Sequence, residues 1–223
     1  MPLPSTITID GRGAVGKSTV GRILARKLGY SFVDTGEMYR ALAWLALQHK
    51  IDLTDEATLS RLATEARIEV ALQDGSGYNP VSVNGCDVTV EIYTPVVEAA
   101  VSQVAKVAGV REVLVAKQRR MAEEGKMVMA GRDIGTVVLP QAELKVFLDA
   151  SPEERARRRH AELGQKNKLT CEDILAELKK RDEIDSQRPL SPLRPASDAK
   201  IIDTEGLTPE EVADRIIGLA GGN

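Results

Sequence analysis

The stretch GRGAVGKS (Gly11–Ser18) directly follows the β-branched run ITID (Ile7–Asp10) and leads into a segment with apolar residues at helical spacing. It matches the pattern G-x-x-x-x-G-K-[ST] in the strand–loop–helix context that this pattern requires. Its glycines permit backbone angles that arrange successive N–H groups around one concave anion site, and the following helix adds its unpaired amides and positive dipole end. The stretch therefore predicts a loop that binds the phosphates of a nucleoside triphosphate.

Two side chains of this loop have the chemistry that a triphosphate needs. Lys17 can neutralise charge on the β- and γ-phosphates, and the hydroxyl of Ser18 can ligate Mg²⁺. We predict that the nucleotide contacts the loop and the first helical residues: Gly11, Arg12, Gly13, Ala14, Val15, Gly16, Lys17, Ser18 and Thr19. Such a loop is shared by kinases, GTPase switches, ATPase motors and nucleotide-binding regulators, so further residues must decide among them.

Composition excludes several other classes of protein. The chain has 223 residues, of which 43% are hydrophobic and 28% charged, with a net charge of −3. Aromatic residues make up only 3%, which argues against stacking platforms for single-stranded nucleic acid. Two distant cysteines do not make a disulfide framework or a zinc site. No apolar run reaches membrane-spanning length and the N-terminus lacks a signal-peptide pattern. We therefore expect a cytoplasmic protein with no nucleic-acid or membrane partner, and nothing demands more than a monomer.

Strand and helix patterns alternate along most of the chain. Apolar strand patterns at Tyr30–Asp34, Met127–Ala130, Leu144–Asp149 and Ala199–Ile202 are separated by segments with helical periodicity. Predicted helix starts include Ser151-Pro152, Thr170 and Thr208. This alternation predicts an α/β fold with parallel strands and right-handed crossovers.

One region departs from this alternation. Ile68, Val70 and Leu72 alternate with polar residues, as in a half-exposed strand. Asn84-Gly85 then separates two short β-prone runs, which is a strong signal for a two-residue hairpin. The region predicts a small antiparallel subdomain inserted into the parallel α/β chain.

Arginine placement favours phosphoryl transfer. Arg132, in the triplet Gly131-Arg132-Asp133, directly follows a predicted buried strand, where open α/β sheets bind ligands. Arg40, Arg181 and Arg188 also fall at predicted element ends or adjoining loops. A single arginine is more often a solvated surface charge, but planar guanidinium groups that converge on one ligand suit phosphate better than lysines do. We interpret the group as the phosphate-binding arginines of a phosphotransferase.

A second arginine cluster lies on one predicted helix. Arg155, Arg158 and Arg159 share a face by their i, i+3, i+4 spacing. An exposed charged face is the simpler interpretation, but such a face also suits a mobile lid that closes over a triphosphate and excludes water. By contrast, Asn167–Thr170 lacks the carboxylate that a GTPase uses to recognise guanine, so the switch alternative is weak.

The ordered set of motifs closely resembles the bacterial cytidylate kinases. The resemblance covers nearly the whole chain and rests on Ile9–Gly11, Gly16–Ser18, Asp34–Arg40, Ser102–Ala105, Val110-Arg111, Gly131–Val138, Phe147–Ala150 and the set Arg181, Asp182, Asp185 and Arg188. It implies the P-loop nucleoside monophosphate kinase fold: a five-stranded parallel sheet flanked by helices, an inserted antiparallel subdomain that binds the monophosphate, and an arginine-rich helical lid. The corresponding boundaries are 1–66 and 96–223 for the core, about 152–170 for the lid, and 67–95 for the insertion.

The same resemblance implies transfer of the γ-phosphoryl group of ATP, with Mg²⁺, to CMP or dCMP. Lys17, Arg132, Arg181 and Arg158 look catalytic, and Arg155 and Arg159 look like lid contacts to ATP. The resemblance places Thr35, Arg40, Arg132 and Arg188 at the acceptor phosphate, Arg181 and Asp185 at the ribose, and Ser102, Arg111 and Asp133 at the cytosine. Asp133 could accept from the exocyclic amine of cytosine while Arg111 donates to its acceptors. Two alternatives stay open: another small-molecule kinase of this fold, acting on UMP, AMP or shikimate, or a nucleotide-binding regulator without transfer activity.

Overall fold

The fold is built from eight strands and eight helices in the part of the chain that the computed structural model describes, residues 2–71, 79–164 and 169–221. In chain order these are β1 (Thr6–Gly11), α1 (Lys17–Leu28), β2 (Ser31–Asp34), α2 (Thr35–Gln48), α3 (Glu56–Glu65), β3 (Ile68–Val70), β4 (Val81–Val83), β5 (Cys86–Asp87), α4 (Pro95–Val104), α5 (Ala108–Met121), β6 (Met127–Gly131), β7 (Leu144–Asp149), α6 (Pro152–Leu163), α7 (Cys171–Gln187), β8 (Lys200–Asp203) and α8 (Pro209–Gly221).

Five strands form one parallel sheet in the order β2-β6-β1-β7-β8, which confirms the predicted parallel α/β core. Strand β6 is buried throughout, and its alternate residues point to opposite faces. Val128 and Ala130 join the apolar cluster under α1 and α8, whereas Met127 and Met129 join the cluster that includes Val115 of α5. The sheet is therefore covered on both faces, which leaves the carboxyl ends of its strands as the place where a ligand can bind.

A second, antiparallel sheet has the order β3-β4-β5, which confirms the predicted small antiparallel sheet. Asn84 and Gly85 have φ values of 53° and 82°, as a two-residue type I′ hairpin requires. The apolar residues of this sheet share one core with α2, α3, α4 and α5. Leu72, predicted to extend β3, lies outside the described residues.

Hydrogen bonds at the helix ends agree with the sequence patterns. Ser151 caps α6 by accepting from the Glu154 N–H, and Thr170 forms a capping box with Asp173 at the start of α7. Besides the 3₁₀ turn at Glu91–Tyr93, one further element was not predicted: a π-helical turn at Ile134–Val138, shortly after β6. Its apolar sequence has no pattern that distinguishes it from a continuing strand, and its conformation depends on a side chain from β1.

None of the helices within residues 2–71, 79–164 and 169–221 is long and apolar enough to cross a membrane.

Candidate active site

The loop that joins β1 to α1 has the backbone geometry of an anion cradle. Gly16, the N-cap of α1, has a φ of 94°, a conformation that glycine adopts at no steric cost. A Cβ on Gly11 would lie 2.4 Å from the carbonyl oxygen of Leu148 on the neighbouring strand β7. Glycine is therefore required at Gly11 for close packing and at Gly16 for the turn into the helix.

Lys17 lies almost buried inside this loop, with 7% of its surface exposed. Its Nζ donates a hydrogen bond of 2.6 Å to the carbonyl oxygen of Arg12. Burial lowers the pKa of Lys17 well below its usual value, and the positive charge of Arg132 is the second cause. An anionic ligand here would favour the charged form of Lys17, so the lysine is suited to bind phosphate.

Ser18 connects the loop to the end of β2. Its Oγ donates a hydrogen bond to Oδ2 of Asp34, and Oδ1 of Asp34 accepts from the N–H of Gly36 and caps α2. A hydroxyl and a carboxylate oxygen thus meet beside the phosphate loop. Mg²⁺ prefers such hard oxygen ligands and takes only one or two from the protein, with phosphates and water for the remainder. The residues present therefore fit the predicted magnesium site.

A cleft of about 320 Å³ opens beside the phosphate loop. Its lining residues come from the loop, from α6 and from the segment around the start of α8: Ala14, Val15, Gly16, Thr19, Val20, Arg158, Arg159, Glu162, Thr204, Leu207, Pro209 and Val212. The apolar wall contributed by 204–212 was not predicted. Nothing in that stretch of sequence distinguishes a ligand-facing apolar residue from one that packs α8 on the core.

Arg158 lies on the rim of this cleft. Its Nη2 donates 2.7 Å to the carbonyl oxygen of Thr204, its Nη1 donates 2.9 Å to the hydroxyl of the same residue, and its Nε donates 2.8 Å to Oε1 of Glu154. In this conformation the guanidinium is held against the cleft wall. Its predicted catalytic role stays a prediction.

Arg155 is placed differently from the expectation that it contacts ATP. Its side chain is completely buried, forms an ion pair of 2.7 Å with Asp182 of α7, and donates 3.2 Å to the carbonyl oxygen of Gly13. The i, i+3, i+4 spacing made it share a face with Arg158 and Arg159, but α7 covers its part of that face. Arg155 therefore supports the phosphate loop from behind, and its predicted direct contact with ATP stays a prediction.

Most of the predicted acceptor-binding residues line a second pocket, at the carboxyl ends of β2 and β6. The pocket is lined by Asp34, Thr35, Gly36, Tyr39, Val101, Ser102, Ala105, Arg111, Gly131, Arg132, Asp133, Arg181, Asp185 and Arg188. Eight of the nine residues predicted for the acceptor are brought together here, although they come from distant parts of the sequence. The ninth, Arg40, is not among the lining residues and pairs with Glu98 of α4 at 3.4 Å.

The inner wall of this pocket is a buried charge cluster. Nη2 of Arg111 donates to Oδ2 of Asp133, and Nη2 of Arg188 lies 3.7 Å from Oδ1 of the same carboxylate. All three residues are at most 6% exposed, and Arg111 also lies over the ring of Tyr39, 5.8 Å from its centroid. The cluster offers both a carboxylate acceptor and guanidinium donors to a planar polar ligand.

Arg132 joins this pocket to the phosphate loop. Its Nε donates 3.0 Å to Oδ2 of Asp185, while its Nη2 would lie 3.6 Å from a Cβ placed on Gly13. Arg181 is close enough to Arg132 that their repulsion, after burial itself, lowers the pKa of Arg181 to about 10. Positive charge is therefore concentrated where the two pockets meet.

Two acidic residues of the site were given no role from the sequence, although Asp10 stands in the motif Ile9–Gly11. Glu98 forms ion pairs with Arg40, Arg159 and Arg181. Asp10, at the end of β1, accepts hydrogen bonds of 2.8 Å from the N–H groups of both Ile134 and Gly135. The role of each carboxylate depends on contacts with residues far away in the sequence, so residue spacing alone could not indicate it. Asn167 and Lys168 belong to the stretch that lacks the guanine-recognising carboxylate of a GTPase, and they lie outside the described residues.

Comparison with known proteins gives a consistent result. A family model described as cytidylate kinase matches residues 7–221. A cytidylate kinase of Bacillus licheniformis is 49% identical over 212 residues, covering 95% of this chain and 93% of that protein. A cytidylate kinase of Geobacillus sp. is 51% identical over 212 residues, covering 95% and 94%.

Among solved structures, a gluconokinase from Sinorhizobium meliloti 1021 aligns over 99% of this chain and 96% of its own. The TM-score is 0.51 and the sequence identity 15%. At that identity the likeness concerns the fold alone.

Proposed function

This chain belongs to the cytidylate kinase family, and from that premise we propose that it transfers the γ-phosphoryl group of ATP to CMP or dCMP. The products are ADP and CDP or dCDP. The observation that carries this proposal is the position of Arg132, which lines the acceptor pocket and approaches Gly13 of the phosphate loop. A phosphoryl group that passes between two nucleotides needs positive charge at just such a junction.

The charge cluster at the inner wall supports cytosine as the base. Cytosine presents an exocyclic amine together with N3 and O2 acceptors. In our proposal Asp133 accepts from the amine, and Arg111 and Ser102 contact the remaining polar edge. Uracil would present a carbonyl to the carboxylate and an N–H to the guanidinium, so that buried groups of like character would face each other. Such mispairing is a strong basis for discrimination.

The remaining pocket residues bind and orient the acceptor. We propose that Thr35, Arg40, Arg132 and Arg188 contact its phosphate, and that Arg181 and Asp185 contact the ribose. Lys17 neutralises charge on the ATP phosphates, and Arg158 and Arg159 lie on the wall of the cleft that would hold the rest of ATP. The chain supplies position and positive charge, which is most of what phosphoryl transfer requires.

Magnesium would be held by Ser18, with Asp34 beside it. When bound, Mg²⁺ neutralises phosphate charge and helps to align the transferred group. The hydrogen bond between Ser18 and Asp34 keeps both oxygens at the loop in its absence.

The proposed division of the chain has a core of 1–66 and 96–223, a lid at about 152–170 and an inserted acceptor-binding part at 67–95. Residues 165–168 of that lid lie outside the described chain. The small antiparallel sheet supports the insertion, and the arginines of α6 beside the donor cleft support the lid.

We propose that the enzyme acts as a monomer, since every residue assigned to the site comes from one chain. A net charge of −3 gives no reason to expect a nucleic-acid partner. Because ATP and nucleoside monophosphates are metabolites of the cytoplasm, we expect the enzyme to work there.

One assay tests the proposal. ADP production is measured with ATP and Mg²⁺ while CMP, dCMP, UMP, AMP, GMP or shikimate is offered singly. Turnover that prefers CMP and dCMP supports it. Equal use of UMP would remove the role given to Asp133, and no turnover with any acceptor would leave a nucleotide-binding regulator.

A further inference from the structure

Glu98, in the first turn of α4, is the meeting point of arginines from three other helices. Its Oε1 lies 3.4 Å from Nη2 of Arg40 in α2 and 3.1 Å from Nη1 of Arg181 in α7. Its other oxygen, Oε2, accepts a hydrogen bond from Nη2 of Arg159 in α6. One carboxylate thus joins an acceptor-side arginine, an arginine of the pocket junction and an arginine of the proposed lid.

The electrostatics of this cluster require a counter-charge. Burial and the neighbouring Arg132 and Arg40 lower the pKa of Arg181 to about 10. Although burial raises the pKa of Glu98, the three arginines hold it below its usual value. The carboxylate is therefore ionised at neutral pH and offsets repulsion among guanidinium groups that would otherwise splay apart.

Arg40 and Arg181 each keep a nitrogen that is not used in pairing with Glu98. Arg40 Nη1 and Arg181 Nε are both buried and have no hydrogen-bond partner among the described residues. Each arginine thus pairs with Glu98 through one nitrogen and retains another buried donor. Buried unpaired donors are costly, so a site that keeps two of them, on arginines that share one carboxylate oxygen, is prepared for an acceptor that arrives from outside.

Arg159 connects this cluster to the cleft that is proposed to hold ATP. It lines the cleft beside the phosphate loop, and its Nη1 forms an ion pair of 2.7 Å with Glu162 of its own helix. Through Nη2 and Glu98 the same side chain is tied to Arg40 and Arg181 of the acceptor side. The position of α6 over the donor cleft is therefore linked to the arrangement of the acceptor arginines.

We propose that Glu98 is a positioning residue for phosphoryl transfer. It fixes Arg40 and Arg181 with their free nitrogens presented to the acceptor phosphate, and it draws Arg159 of the lid to the same point. The assignment rests on the proposed function, because it needs a phosphorylated acceptor in this pocket. It links Arg159 of α6 to the acceptor-side arginines through a single carboxylate.

Kinetics of four proteins test the assignment: the parent chain, Glu98→Gln, Glu98→Asp and the control Glu91→Gln. Glu91 is an exposed carboxylate in the short 3₁₀ turn at Glu91–Tyr93, just before α4. Glutamine keeps the size of Glu98 but removes its charge, so we expect KM for CMP to rise by about tenfold and kcat to fall by about fivefold or more. Aspartate keeps the charge and should recover a large part of both losses, whereas the control should stay within about twofold of the parent.

A double-mutant cycle separates positioning from a general loss of structure. Arg159→Gln should lower kcat/KM by about tenfold in the parent but by less than about threefold when Glu98 is already glutamine, because the two side chains act as one unit. Thermal unfolding of each variant shows whether the fold is kept. If the Glu98→Gln variant is too unstable to assay, the cycle is run with Arg159→Gln and Arg40→Gln, whose effects should also be non-additive because both arginines pair with Glu98.

The outcomes are distinguishable. A parent chain that leaves CMP unphosphorylated overturns the proposed function and this assignment with it. If the parent is active, three results overturn the assignment alone: unchanged kinetics in Glu98→Gln, independent effects of Glu98 and Arg159, or a lower KM for CMP. The last would mean that Glu98 competes with the phosphate rather than preparing its site.

Discussion

The Asp10 carboxylate accepts a hydrogen bond of 2.8 Å from the backbone N–H of Gly135, a residue 125 positions later in the chain. Asp10 ends the strand that leads into the phosphate loop, and Gly135 lies in the π-helical turn that follows Arg132 and Asp133. One buried side chain therefore joins the backbone of the donor site to the backbone of the acceptor site. A Cβ on Gly135 would lie 3.3 Å from Oδ2 of Asp10, so the contact also leaves little space for a larger residue.

Asp10→Asn should remove a pH dependence from the stability of the fold, because the amide does not titrate. Burial raises the pKa of Asp10 to about 6, against the lowering effect of its two backbone hydrogen bonds. The stability that protonation of Asp10 contributes is complete below the unfolded pKa and is lost as pH rises through about 6.

Urea unfolding of the parent and of Asp10→Asn between about pH 4 and pH 7 measures this pH dependence of stability directly. The stability of the parent relative to that of the variant should fall with rising pH by something on the order of 3 kcal/mol, the equivalent of a shift of about two pKa units. A difference between the two proteins that stays constant across this range would contradict the proposed titration of Asp10.

Arg155→Met should impair the use of ATP more than the use of CMP. Methionine fills similar space but loses the hydrogen bond to Gly13 and leaves Asp182 without its closest partner. We expect KM for ATP to rise by about tenfold while KM for CMP changes by less than about threefold. Breaking a buried pair also costs about 3–5 kcal/mol of stability, so assays are run well below the midpoint of thermal unfolding.

The matched control for that change lies two residues along the same helix. Arg157 is exposed and forms its ion pair with Glu154 on the helix surface, and Arg157→Met should leave both KM values near those of the parent. An equal rise in KM for ATP in both variants would show that the effect comes from α6 as a whole rather than from the contact with the phosphate loop.

Asp133→Asn should erode the preference for CMP over UMP by about tenfold or more. An amide can turn its N–H₂ group to the O4 of uracil, which a carboxylate cannot do. The ratio of kcat/KM for CMP to that for UMP is the measurement, with Asp87→Asn, an exposed change on β5, as the control. An unchanged ratio in an otherwise active variant would refute the assignment of Asp133 to the base.

Lys17→Ala should lower kcat by about 100-fold or more while the chain stays folded, because its amino group is the charge nearest the phosphate cradle and one lost electrostatic contact of this kind costs that much. The control is Lys27→Ala at the far end of α1, where the amino group pairs with Asp214 on the surface. Turnover by the Lys17 variant that stays within about tenfold of the parent would count against its role.

The sequence alone determined the architecture and named most of the residues that the fold gathers at the candidate site. The phosphate loop could be predicted because its function requires glycines and a lysine at fixed spacing, and the parallel sheet because buried strands such as Met127–Gly131 are apolar throughout. The acceptor residues could be assigned only through the ordered motifs of a family, because nothing local in Arg40 or Asp185 distinguishes a ligand contact from a surface charge.

Tertiary structure alone decided which charges pair. Spacing gave Arg155 and Arg159 the same helical face, but α7 buries the first against Asp182 while the second reaches Glu98. The roles of Asp10, which stands in the motif Ile9–Gly11, and of Glu98 could not be assigned from the sequence, since a carboxylate acquires its role from the donors that folding brings to it. Local pattern fixes backbone conformation through interactions a few residues apart, whereas the electrostatics of this site arise between residues as far as 125 positions apart, which only the packed chain brings together.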